Sequence, residues 1–120
     1  LAALFEPQIQ GVYVHGGLMS FEALLNEPFL YHPADSIIRG LLRIADLPDI
    51  AAELVPRPLR MESLVDGCNR QASRQQLEEA YHLVGLSYAR AENPDRFSLK
   101  VEKSSADTIS RWFRHTLNLP

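Results

Sequence analysis

The stretch Asp46-Leu-Pro-Asp-Ile-Ala-Ala-Glu-Leu-Val-Pro-Arg-Pro-Leu-Arg-Met-Glu-Ser-Leu-Val-Asp66 decides how this chain is read. It opens as a short helix, with helical turns expected over Asp49 to Val55. A Pro56-Arg57-Pro58 entry follows. Neither proline can donate to a β-ladder, so a buried strand is expected to start after them and run from Leu59 to Val65. Asp66 stands where that strand ends. Open α/β sheets gather their chemistry at the C-terminal ends of the strands, which makes Asp66 the first candidate for a functional acid.

Upstream, Val12-Tyr-Val14 is β-branched and aromatic and is closed by Gly16-Gly17, so a buried strand is expected over Gly11 to Val14. Ser20 is placed to cap a short helix over Phe21 to Leu25. Pro28 to Pro33 reads as a loop with aromatic anchors at Phe29, Tyr31 and His32. Between Ser36 and Ile44, Ile37, Ile38, Leu41 and Leu42 fall at helical spacing. Downstream, Gln71 to Ala91 is the longest expected helix. Leu77, Tyr81, Val84 and Tyr88 form its core stripe, with Ala80 and Leu83 beside it. Glu92-Asn-Pro-Asp95 is a turn. Phe97 to Glu102 alternates as a third strand, and Ser105 or Asp107 caps a last helix carrying Ile109, Trp112, Phe113 and Leu117. Strands alternating with helices imply a parallel sheet covered by helices.

The 120 residues fit one small domain, and 46% hydrophobic content suffices for a core. The net charge of −3 offers no basic field for nucleic acid or an anionic membrane. Cys68 is the single cysteine, so no internal disulfide can form. No apolar run spans a bilayer, and nothing in these residues reads as a signal peptide. The apolar start Leu1-Ala-Ala-Leu-Phe5, without a cap, reads as the end of a helix that begins upstream. Three strands are few for such a sheet and leave an edge unpaired. Missing upstream strands are therefore expected, and with them self-association or pairing with the missing N-terminal half.

The order Ile44-Ala-Asp-Leu-Pro-Asp-Ile-Ala, Val55-Pro-Arg-Pro-Leu59, Asp66, Ala80-Tyr81, Asn93-Pro-Asp-Arg96 and a last strand and helix resembles the α/β-hydrolase superfamily. The branch it is most similar to holds acetyl xylan esterases and dienelactone-hydrolase-like esterases. The resemblance covers nearly the whole chain. It implies that residues 1–120 are the C-terminal part of one α/β-hydrolase domain, with about three parallel strands and flanking helices. It places the triad acid at Asp66 and the Gly-x-Ser-x-Gly nucleophile turn upstream of Leu1. The implied substrate is a small ester or an acetylated carbohydrate, with no cofactor.

A triad needs a nucleophile, a histidine and an acid that orients the histidine. The loop where the resemblance places the histidine reads Val101-Glu-Lys-Ser-Ser-Ala-Asp107 and holds none. His15, at the end of the first strand, and Tyr31 and His32, in the aromatic loop, are pocket candidates. His82 and His115 lie in helices. Asp66 also has a purely structural use, an Asx-turn with Gly67. Glu62 is expected to pair with an arginine such as Arg60 or Arg39, Ser104-Ser105 to cap a helix, and Cys68 to be a loop cysteine. No metal-ligand spacing and no phosphate loop appear. Three functions stay open: an esterase completed by an upstream serine, a non-catalytic hydrolase-like module that binds through its aromatic loop, and the C-terminus of a prolyl-oligopeptidase-like peptidase.

Overall fold

A computed structural model describes residues 1–120, the side chain of Ser36 excepted. Its centre is a three-stranded parallel sheet in the order β1 (Val12–His15), β2 (Leu59–Glu62), β3 (Phe97–Lys100). Helix α1 (Ala2–Phe5) precedes β1. The first crossover carries α2 (Glu22–Leu25) and α3 (Leu47–Ala52), the second carries α4 (Arg74–Arg90), and α5 (Ala106–Thr116) closes the chain. This is the α/β mix with a helix-flanked parallel sheet expected from the alternation of elements.

The register explains the core. Val12, Leu59 and Phe97 stand side by side, as do Val14, Met61 and Leu99. All six face the apolar cluster built with Ala51, Leu54, Leu77, Tyr81, Val84 and Tyr88. The expected stripe of α4 is buried in full, whereas Leu83 beside it is 68% exposed, because only the narrow stripe faces α3 and the sheet. Two tyrosines fasten α4 at their tips: Tyr81 donates to the Met19 carbonyl at 2.8 Å and Tyr88 to the Arg57 carbonyl at 2.6 Å. Tyr88 also stacks on Phe97, with ring centroids 5.4 Å apart. Ser73 caps α4 in a reciprocal box with Gln76, and Ser105 is the residue that caps α5.

Two segments depart from the sequence expectation. Ser36 to Ile44 forms no α-helix. Its backbone makes two short 3₁₀ turns, Ala34–Ser36 and Leu41–Arg43, separated by Gly40 at φ +83°. A left-handed residue breaks the helical ladder, and Ile44 is left 88% exposed. The side chain of Ser36, where that helix was expected to begin, lies outside the described residues. Strand β2 ends at Glu62 and not at Val65, because Ser63 takes φ +52°. The chain resumes extended contact only through single bridges of Val65 with Leu18 and Gln71.

Asp46 organises the entry to α3 and the start of α2 together. Its carboxylate accepts from Leu47 at 2.6 Å and, across the fold, from the amides of Phe21 at 2.7 Å and Glu22 at 3.0 Å. Asp49 returns the box by accepting from the Asp46 amide at 2.7 Å. Ser20 adds its hydroxyl to the amide of Ala23 at 3.1 Å. One carboxylate thus satisfies the orphan amides of two helix starts, each cap being worth about 1 kcal/mol. Asp46→Ala should therefore lower unfolding free energy in urea by about 2 kcal/mol. A loss no larger than a surface substitution's would show that these bonds do not hold the two starts together.

Candidate site at the C-terminal edge of the sheet

Past β2 the backbone turns back on itself. The Asp66 amide donates to the Arg70 carbonyl and the Asn69 amide to the Asp66 carbonyl, with Asn69 at φ +60°. The Asp66 carboxylate fills this turn. Its Oδ1 accepts from the amides of Cys68 and Arg70, each at 2.9 Å, and its Oδ2 accepts from Arg70 Nε at 2.8 Å. The bond to Cys68, two residues on, is that of an Asx-turn. Asp66 is buried, and burial alone would raise its pKa. The Arg70 amide and guanidinium and the Cys68 amide outweigh burial and hold the carboxyl below its ordinary range.

Arg70 extends the cluster. Its Nη2 donates to Glu27 Oε1 at 2.5 Å, and Cys68 Sγ donates to the other oxygen of Glu27 at 3.1 Å. The hydrogen bond to Glu27 is the main cause that pushes the Cys68 thiol up, so Cys68 is a poor nucleophile at neutral pH. Gly67 is required here by space. A Cβ at this position would stand 2.9 Å from the Ala23 carbonyl of α2.

The loop before the 3₁₀ turns lies on this turn. His32 Nε2 pairs with the Asp66 carbonyl oxygen at 3.0 Å, and the Tyr31 amide donates to the Gly67 carbonyl at 3.2 Å. His32 thus meets Asp66 through its backbone and not through its carboxylate. The Tyr31 side chain is 71% exposed and reaches the turn only by its amide. His15 stands exposed at the end of β1, level with Glu62 in the register. His82 and His115 are exposed on α4 and α5.

The second polar group lies on the other face of the sheet. Glu62 is fully buried. It accepts from Arg60 Nε at 2.7 Å, from the Tyr13 hydroxyl at 3.0 Å and from the Ser104 amide at 2.8 Å. Arg60 Nη2 also donates to the Ser104 hydroxyl at 2.8 Å, and its guanidinium lies 5.5 Å from the Trp112 ring centroid. The pairing of Glu62 with Arg60 was legible in the sequence. Ser104 was not: in place of a helix cap it closes this network, in the loop where a triad histidine would stand. Burial would raise the Glu62 carboxyl, but the Ser104, Arg60 and Tyr13 donors bring it down to about 2.

Chemically, the edge offers an ionised acid beside a half-buried imidazole and, among the described residues, no activated nucleophile. Among the described residues no group of three or more His, Cys, Asp or Glu side chains is disposed to hold a metal ion. Among the described residues no helix is long and apolar enough to cross a membrane. Arg70 and Glu27 escaped sequence reasoning because their partnership joins segments far apart in the chain. The one local signal was the spacing of Asp66 and Arg70.

A carboxylate whose folded pKa is depressed stabilises the fold above its unfolded pKa, and that contribution fades as pH falls toward the folded value. The Glu62 contribution should therefore be complete at neutral pH and lost between about pH 4.5 and about 2. Glu62→Gln leaves the Arg60 charge uncompensated and should cost about 3 kcal/mol at pH 7 in urea unfolding. It should also flatten the acid limb of the stability profile. An acid limb unchanged by the substitution would contradict this account of Glu62.

No family model, curated protein or solved structure matches this chain.

Proposed function

We propose that these residues are the acid-bearing C-terminal part of an ester hydrolase of the α/β-hydrolase kind, acting on small acyl esters or acetylated carbohydrates. The observation that carries this reading is the position and state of Asp66. It is a buried carboxylate, ionised at neutral pH, held by backbone amides just beyond the middle strand of a parallel sheet. A triad acid needs those properties: fixed orientation, negative charge, and a lone pair left for an imidazole N–H. Each carboxylate oxygen accepts about two bonds. Oδ1 is filled by two amides, while Oδ2 carries only Arg70 Nε and keeps a place for a histidine. The nucleophilic serine and its oxyanion donors would come from polypeptide preceding residue 1.

A second reading has its own observation. Ser104 occupies the loop after β3 and is committed to Glu62 and Arg60. A parent with this loop would have to bring its histidine from elsewhere. If none is supplied, the domain is a non-catalytic module, binding through the exposed Phe29, Leu30 and Tyr31 of the aromatic loop.

Hydrolysis of p-nitrophenyl acetate tests both. The 120-residue chain should show no turnover above a denatured control. Turnover that Asp66→Asn abolishes would overturn the placement of the nucleophile outside these residues. In a longer polypeptide with a Gly-x-Ser-x-Gly segment ahead of residue 1, Asp66→Asn should lower kcat by roughly 10⁴-fold with the fold intact. An unchanged kcat there would favour the binding module.

A further inference from the structure

Because the strands are parallel, their entries gather at one end of the sheet, opposite to the end where Asp66 lies. Pro7 to Gln10 leads towards β1, Pro56-Arg57-Pro58 into β2, and Arg96 into β3. Together with Leu117, just past α5, these segments line a cavity of about 240 Å³. Its charged groups are Arg57 and Arg96, and among the described residues no carboxylate lines it. Neither arginine makes an ion pair with any described residue. Two like charges on one wall repel each other until an anion comes between them. Arg57 adds a sharper demand. Its Nη1 is buried and has no hydrogen-bond partner. A buried guanidinium N–H without an acceptor is costly, and a nitrogen shielded from solvent cannot use bulk water instead.

The backbone around both side chains is fixed. The Arg57 amide donates to the Leu54 carbonyl at 2.7 Å, and its carbonyl accepts from the Tyr88 hydroxyl at 2.6 Å. Pro58 restricts Arg57 further, to extended backbone. Arg96 Nη1 donates to the Pro56 carbonyl at 3.1 Å, which ties the second guanidinium to the segment that carries the first. We propose that this cavity binds a small organic carboxylate. A guanidinium presents a planar fork of donors that matches a carboxylate. On binding, Arg57 turns its unpaired N–H to one carboxylate oxygen, while Arg96 keeps its bond to Pro56 and gives a second nitrogen to the other. The remaining wall is mostly apolar, with Pro7, Ile9 and Leu117 beside the two flanking prolines. That wall suits a hydrocarbon body, which inorganic phosphate lacks. No residue before Pro7 lines the cavity, and Leu1 lies in a separate cleft against α3. The site stands apart from Asp66 and does not rest on the hydrolase proposal.

Benzoate titrated into the isotope-labelled 120-residue chain, followed by NMR, tests the site. The Nε–H resonances of Arg57 and Arg96 should shift and saturate. Benzyl alcohol, which keeps the ring without the charge, should leave them in place. Inorganic phosphate at the same ionic strength should bind more weakly than benzoate. Arg57→Gln and Arg96→Gln should each weaken benzoate binding by about tenfold, the worth of one charge-assisted hydrogen bond, with an unchanged far-UV circular dichroism spectrum. Arg74→Gln, exposed on α4 and outside the cavity, should leave the affinity as it was. Should Arg57→Gln fail to fold, Arg96→Gln decides alone. The proposal is overturned by the absence of a saturable shift, by phosphate binding as tightly as benzoate, or by an affinity that a folded Arg57→Gln or Arg96→Gln chain retains in full.

Discussion

The carboxylate of Glu62 is the constraint from which the rest of the sheet follows. A fully buried charge costs several kcal/mol unless it is paired and its lone pairs are filled. Here the partners come from every strand region: Tyr13 from β1, Arg60 from β2, and the Ser104 amide from the chain just after β3. The cost of burying the charge is thereby converted into a requirement on geometry. The strands must hold their register, and the loop after β3 must fold back over the strand ends. Arg60 passes the requirement on by lying against Trp112, which seats α5 on this face. Phe113 seats it again over Gly11, where a Cβ would come within 2.9 Å of the ring.

The two faces of the sheet thus work on different physics. One is a hydrocarbon layer, Val12, Val14, Leu59, Met61, Phe97 and Leu99 against α3 and α4, and its contribution is the non-directional removal of apolar surface from water. The other is a directional polar network that specifies the arrangement more than it adds net stability. Asp66 lies beyond both, on the turn that follows β2. Its three donors and the further Arg70–Glu27 pair keep it ionised and immobile. The same immobility serves a triad acid and a structural turn equally well. What separates them is whether an imidazole reaches Oδ2.

Much of this was legible in the residues. The Val-Tyr-Val strand, the strand after Pro58 and the Phe97 strand follow from β-branched and alternating runs, and the α4 stripe from its 3.6 period. These signals persist because burial enforces them. Ser36 to Ile44 carried the same periodic signal without burial behind it, and Gly40 in the left-handed region decided against a helix. The early end of β2 turned on the positive φ of Ser63, a residue type that announces no such turn. At the site, Asp66 and the Arg60–Glu62 pair were visible as local sequence. The partnerships of Glu62 with Ser104 and of Arg70 with Glu27 were not, since they join residues 42 and 43 positions apart and depend on the sheet already being formed.

Carboxyl carbon shifts followed by NMR through an acid titration test the central claim most directly, because they read the charged state of Glu62 itself. The network described here requires the Glu62 resonance to stay in its ionised position until about pH 2, far below the ordinary 4.5. A Glu62 carboxyl titrating at or above 4.5 would contradict it, since that group would be buried without the donors that hold the three strands together.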